Sequence, residues 1–534
     1  MIRPPDPLCM DLTGSGRSKI LPKLSAINEG KYRLKVRLGE LVAAATGTDF
    51  CHTDESGYES TINVLPDNVF LEIFDSCRKD HDPDEPPFLP VWRWHGLVHV
   101  CQRWRQIIFG SPRRLDLQIL CTNGTPVENL NFWPPFPITI HYPYHETFTP
   151  YDEDSLLVTL EHSGRIRQIE LSLTGPQLRE VATVMMHEPF PALKRLILGW
   201  KDTRPPALPR GFLGGSAPCL QYIHLDGIPF PELPTLLSST NDLLDLILDD
   251  IPQDGYISPQ AMHACLAALP RLKSLSIAFK WTTTRRDRIL NPPPATWTRT
   301  LLPALTSFEF QGTSTYLEEL VSRIDSPQLN HIDISYLHQH FQVEFQVAQL
   351  FEFIDRSEDP EITLIRHGEI NFSDLWVTFD MYPCPDSYPD WDRVSALIYC
   401  ERIELQVLRT AQVFSQPSAT LSRVVHLKLS RCPANAVYAD SHRNGWLNLL
   451  CQFPTVRTLH VSQEFAEHVV RALEDATGAM VIEVLPALDL IYLDSQPVSS
   501  VENFLAARRL SGRPVAIVDT EAEFDERVKS YVNK

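Results

Sequence analysis

LKRLIL (193–198), LQYIHL (220–225), LLDLIL (243–248) and LKSLSI (272–277) share one pattern, apolar-x-x-apolar-x-apolar. The pattern also occurs at IRQIEL (166–171), LTSFEF (305–310), LNHIDI (329–334), VVHLKL (424–429), VRTLHV (456–461) and LDLIYL (488–493). Successive starts lie 23 to 33 residues apart wherever the series is unbroken. The final three positions alternate with period two, which is a short strand, and the apolar residue three positions earlier anchors the turn that enters it. Helical spacing fills the intervals, as in Met262, Cys265, Leu266 and Leu269, or Phe465, Val469, Ala472 and Leu473. The same spacing occurs in TYLEELVSRI and FQVAQLFEFI. Each strand-helix unit is too small to bury its own apolar face, so the units must stack. The expected fold is α/β: a curved parallel sheet with outer helices, spanning residues 161–520. Spacing becomes irregular over 355–420, where INFSDLWVTFDM and YCERIELQVL read as strands.

Ahead of the array the rhythm is helical. Leu65, Val69, Ile73 and Phe74 fall on one helix face, and Pro66 and Asp67 suit a first turn. KDHDPDEPPFLPV (79–91) holds four acidic residues and four prolines, so it reads as an inserted loop. Helical spacing resumes with Trp94, Leu97, Val98, Cys101, Trp104 and Ile108. These helices, within 61–114, are too short to be stable without an apolar partner. Residues 1–60 read as a mostly flexible tail with a short helix near Leu38 to Ala45. Residues 115–160 read as a linker and first strands, and 521–534 as a terminal helix or tail.

The totals bound the function. With 48 basic against 67 acidic residues the net charge is −19, which repels a phosphate backbone and argues against nucleic acid as a partner. Eleven scattered cysteines, several inside apolar runs, suit a reducing compartment rather than a disulfide framework. No signal-peptide pattern and no apolar run of membrane-spanning length is visible, so a cytoplasmic or nuclear protein is expected. TGSGRSK (13–19) lacks the Gly-Lys-Ser/Thr ending of a phosphate-binding loop. His331, His338 and His340 have no cysteine or carboxylate at metal-binding spacing. No catalytic, cofactor-binding or metal set emerges, so no enzymatic activity is expected.

The segment from Val64 to Ile108 resembles an F-box, the adaptor-docking motif of SCF-type cullin ubiquitin ligases. The resemblance rests on Leu65-Pro66, on Val69, Ile73 and Phe74, and on the closing Leu97-x-x-Val100-Cys101-x-x-Trp104-Arg105-x-x-Ile108. With its acidic, proline-rich insertion the segment looks like the expanded F-box families of mushroom-forming fungi. The remaining chain resembles a degenerate leucine-rich-repeat array. The usual asparagine after the strand is replaced by Gly199, Asp226, Asp249 and Gln311.

These resemblances imply a substrate receptor that docks a Skp-type adaptor, and through it a cullin, while the array holds an unidentified target protein. They imply a chain that is monomeric within that complex. Leu65, Pro66, Val69, Leu97 and Val100 would lie at or near the adaptor, with Ile73, Phe74, Cys101 and Trp104 completing the set. Trp104 and Ile108 would pack towards the rest of the motif and the repeats. The alternative is a repeat scaffold with an F-box remnant and no ligase partner.

Overall fold

The computed structural model describes residues 65–79, 97–122, 130, 133–142, 149–200, 205–280, 299–337, 347–383, 394–400, 403–416, 418–431, 443–494, 501–518, 523, 524 and 527. The tail 1–60 with its expected helix, residues 80–91 of the insertion, Trp94, His338 and His340 lie outside them. The chain divides into two compact units, Met1–Ile169 and Glu170–Lys534.

In the first unit, helix α1 (Asp67–Lys79) and helix α2 (Gln102–Gly110) pack together. They are followed by β1 (Ile119–Cys121), β2 (Ile138–Tyr142) and helix α3 (Pro150–Leu160). The Pro66 carbonyl accepts the Val69 and Phe70 N–H groups, opening α1 where the leucine-proline pair predicts. The continuous helix expected through Leu97 and Cys101 is broken. Cys101 adopts an extended backbone (φ −156°), and its Sγ accepts the Trp104 N–H at 3.5 Å, starting α2 afresh. RRLDL, whose alternation suggests a strand, instead turns, because Asp116 sits at φ +46°. Pairing starts at Ile119, which lies parallel and in register with Ile138. Thr149 and Asp152 cap α3 reciprocally.

Strand β3 (Ile166–Leu173) contains the division between the units. Beyond it come β4 (Arg195–Trp200), β5 (Tyr222–Asp226), β6 (Asp245–Ile251), β7 (Ser274–Phe279), β8 (Thr300–Leu301), β9 (Ser307–Gly312), β10 (Ile324–Asp325) and β11 (His331–Tyr336). The series ends with β12 (His367–Phe372), β13 (Trp376–Tyr382), β14 (Val394–Tyr399), β15 (His426–Arg431), β16 (Thr458–Val461), β17 (Leu490–Leu493) and β18 (Ala516–Val518). Every repeated hexapeptide from the sequence contributes to a strand. Neighbours in the second unit run β4-β5-β6-β7-β9-β11-β14-β13-β12-β15-β16-β17-β18, while β8 and β10 form a separate parallel pair. Strand alternation separates two faces. Phe308 packs on Phe353 of helix Ala348–Asp355, and Phe372 on Phe465 of helix Gln463–Asp475, which marks the helix-covered face.

Two expectations for residues 355–420 need correction. The sheet is not uniformly parallel: β13 runs antiparallel to both β12 and β14, and β14 rather than β12 pairs with β11. YCERIELQVL is mostly not a strand either. The strand stops at Tyr399, and Ile403–Phe414 is a helix that buries Gln406, Val407, Thr410, Ala411, Val413 and Phe414 at helical spacing. Gln406 Nε2 donates to the Ser373 carbonyl (2.7 Å), and Phe414 meets Phe379 (4.3 Å), so the helix clamps the inserted hairpin.

Repeats are coupled largely through the backbone. At most of the parallel strand entrances one carbonyl accepts two N–H groups from the next repeat, for example Lys194 from Gln221 and Tyr222 (2.8 and 3.0 Å), Gln221 from Leu244 and Asp245 (2.8 and 3.1 Å), and Arg457 from Asp489 and Leu490 (2.8 and 2.9 Å). A carbonyl has the two lone pairs this needs, which explains how the array holds register without asparagines. Gln311 still reaches back, donating to the Phe279 carbonyl at 3.3 Å.

Side chains add a tie between helices Ser314–Val321 and Ala348–Asp355. Buried Glu318 accepts the Gln349 and Leu350 N–H groups (2.8 and 2.9 Å). In the other direction Arg356 donates to the Ile324 carbonyl (3.2 Å) and to Asp325 (3.0 Å). Burial raises the Glu318 carboxyl above its usual range, while the two N–H bonds oppose that shift. Glu318→Gln should cost about 1–2 kcal/mol, because one cap oxygen becomes a donor facing N–H groups. Chemical denaturation, with hydrogen exchange over 348–355 to localise the loss, checks this.

Candidate protein-interaction surfaces

The first surface lies on α1 and α2. Phe70, Phe74 and Trp104 form a buried aromatic trio, with Trp104 5.7 Å from Phe70 and 4.9 Å from Phe74. Arg103 Nη2 donates to the Leu65 carbonyl (2.6 Å) and to Asp67 (2.8 Å), and its guanidinium lies 4.9 Å from the Phe70 ring centre. Arg105 Nε reaches the Val98 carbonyl at 3.0 Å, and Arg114 pairs with Glu72. The aromatic trio and Arg103 fix the two helices to each other, Arg114 ties the turn after α2 to α1, and Arg105 ties α2 to the turn before it.

The nine residues named from the sequence divide cleanly. Phe74, Leu97 and Trp104 are buried inside the unit. Leu65, Val69 and Ile73 are half-buried, while Pro66, Val100 and Cys101 are exposed, Val100 at 48%. Ile108, expected to pack inward, is fully buried. Residues one apart on a helix differ by about 100° in direction, so Val69 and Ile73 form a strip beside the Phe70–Phe74 strip. Sequence reasoning missed Phe70 and Arg103. The Phe-x-x-x-Phe spacing of 70 and 74 was the available signal for the first; nothing in the periodicity marks Arg103.

The second surface is the helix-free face of the sheet in the second unit. At one end Arg195 lies 3.7 Å over the Tyr222 ring, and His224 Nε2 meets Asp249 at 2.9 Å. Burial, followed by repulsion from Asp250, raises the Asp226 carboxyl. Further along, cross-strand register aligns Glu309, Asp333, Ser395, Asp380 and Glu369 in one row. Like charges opposite one another cost stability in a sheet. Lys428, next in the row, relieves Glu369 through a 3.2 Å ion pair.

Burial pushes the Cys121 and Cys265 thiols up to about 11, which suppresses the nucleophilic thiolate. Among the described residues no group of three or more His, Cys, Asp or Glu could hold a metal ion. Among them too, no helix is long and apolar enough to cross a membrane.

No family model matches the chain, and no curated protein sequence matches it. Among solved structures, the TLR13–ssRNA13 complex is 13% identical at a TM-score of 0.25, over 72% of this chain. This chain spans 48% of the TLR13 chain. The yeast Rad7 and Elc1 complex is 10% identical at a TM-score of 0.21, covering 96% of this chain and 100% of that one. The second unit is a leucine-rich-repeat-like solenoid by its own strand-helix alternation and its parallel in-register neighbours.

Proposed function

We propose that the chain is a non-catalytic substrate receptor of an SCF-type cullin ubiquitin ligase. Its α1–α2 surface docks a Skp-type adaptor, and the open face of its sheet holds a target protein. The observation that carries this reading is the division of apolar residues on the first surface. Phe70, Phe74 and Trp104 satisfy one another, whereas Leu65, Pro66, Val69, Ile73 and Val100 remain partly or fully open to water. Apolar side chains left open on an otherwise packed helix pair suit a partner that covers them. The mechanism is proximity: binding raises the effective concentration of target lysines near a transferable ubiquitin, with no bond made or broken by this chain. The setting is the cytoplasm or nucleus.

Adaptor co-purification tests the reading. The double substitution Leu65→Asp, Pro66→Ala should weaken adaptor capture at least about tenfold, equivalent to 1.4 kcal/mol. The melting temperature should hold, because neither side chain is part of the buried trio. Equal capture by both proteins would overturn the docking surface. If the unaltered chain recovers no adaptor or cullin, the repeat-scaffold reading replaces the ligase one.

A further inference from the structure

The C-terminal end of the open sheet face is occupied by the chain itself. Register carries the polar row onward from Lys428 to His460, Tyr492 and Val518. There its character changes: Leu490, Tyr492 and Val518 form an apolar cluster, and Phe524 completes it. Phe524 is only 6% exposed, with its ring centre 5.5 Å from His460 and 5.9 Å from Tyr492. This is not the helix-packed side of the sheet. Val461 and Leu493 are in register with Leu429, which aligns with Ile370 on the same strand face as Phe372, the partner of Phe465. By alternation, His460 and Tyr492 face the other way. Phe524 therefore contributes nothing to the core between sheet and helices.

We propose that His460, Leu490, Tyr492 and Val518 form a site for an aromatic side chain, and that Phe524 fills it as a displaceable intramolecular strap. A partner segment presenting its own aromatic residue would compete with Phe524 for that end of the face. The regulatory meaning, restraint of target binding, rests on the open face being the target-holding one. The docking of Phe524 does not depend on that reading.

The test uses full-length chains and a labelled peptide of residues 519–534. Chains carrying Phe524→Ala should bind the peptide, read by fluorescence anisotropy, at least tenfold more tightly than unaltered chains, whose site is filled in cis. A peptide carrying Phe524→Ala should lose binding to the emptied site. The unfolding midpoint of the Phe524→Ala chain should fall by only several degrees, as for one buried ring at the end of a large repeat array, with the transition still cooperative. Equal peptide binding by the two chains, or no binding to either, overturns the proposal. So does a collapse of the midpoint, which would make Phe524 part of the permanent core. Adaptor capture through Leu65 and Pro66 reads the other surface, so failure of one reading is distinguishable from failure of the other.

Discussion

Replacing Trp104 by alanine should destabilise the helix pair by about 3–5 kcal/mol, the usual cost of removing a large buried aromatic side chain. Trp104 is 4% exposed and touches both Phe70 and Phe74, and aromatic pairs at such separations add about 0.5–1.5 kcal/mol beyond simple burial. Besides these rings, the joint relies on Arg103, whose bonds to Leu65 and Asp67 are partly open to water and are worth much less. Hydrogen exchange over 67–79 and 102–110 should become fast in Trp104→Ala, while Trp104→Phe should retain most of the protection. A loss below about 1 kcal/mol would show that something other than the trio joins the helices. Adaptor capture should fall in Trp104→Ala together with helix stability, whereas Leu65→Asp, Pro66→Ala should lose capture alone. That contrast separates residues that build the surface from residues that form it.

The strands were legible in the sequence because period-two alternation requires one face to be buried, and a slip of one residue would expose Leu196, Leu225 or Leu275. Helices such as Gln463–Asp475 were legible for the parallel reason at period 3.6. Legibility failed where the deciding interaction was non-local or polar. ERIELQVL alternates well enough to read as a strand, but Gln406 and Thr410 belong to a buried helix face held by a bond to Ser373. The reversal that places β14 beside β11 depends on pairing across some sixty residues, which no local window reports. On the first surface, counting from Leu65 selected Val69 and Ile73 but rotated past Phe70. The break at Cys101 depends on a sulfur cap that hydrophobic spacing does not register. Of the candidate adaptor residues, the sequence therefore located the helices, and the structure decides which side chains are left to meet a partner.

Lowering the pH from 7 to 5 should weaken the middle of the array by on the order of 4 kcal/mol, through two buried histidines. His367 on β12 is stacked between Tyr382 on β13 (5.6 Å) and His426 on β15 (4.6 Å). His426 Nδ1 meets Thr458 Oγ1 at 2.7 Å, while His367 Nε2 has no hydrogen-bond partner among the described residues. Burial holds His367 down at about 4; burial, then repulsion from His367, holds His426 at about 3. Unfolded histidines titrate near 6.5, so below that pH the unfolded state binds more protons than the folded one. The stability from each neutral ring is complete above about 6.5 and declines as pH falls towards the folded values, by about 2 kcal/mol per ring at pH 5. Asp226, Asp245 and Glu318, whose carboxyls are raised by burial, act in the opposite direction, which makes a variant comparison necessary. His367→Phe keeps an aromatic ring in the stack and removes one titrating group, so it should lose about half as much stability between pH 7 and pH 5. Hydrogen exchange over 367–372 and 426–431 at the two pH values measures it. If the unaltered chain loses no more protection than His367→Phe, the histidine stack does not control the acid sensitivity of this joint.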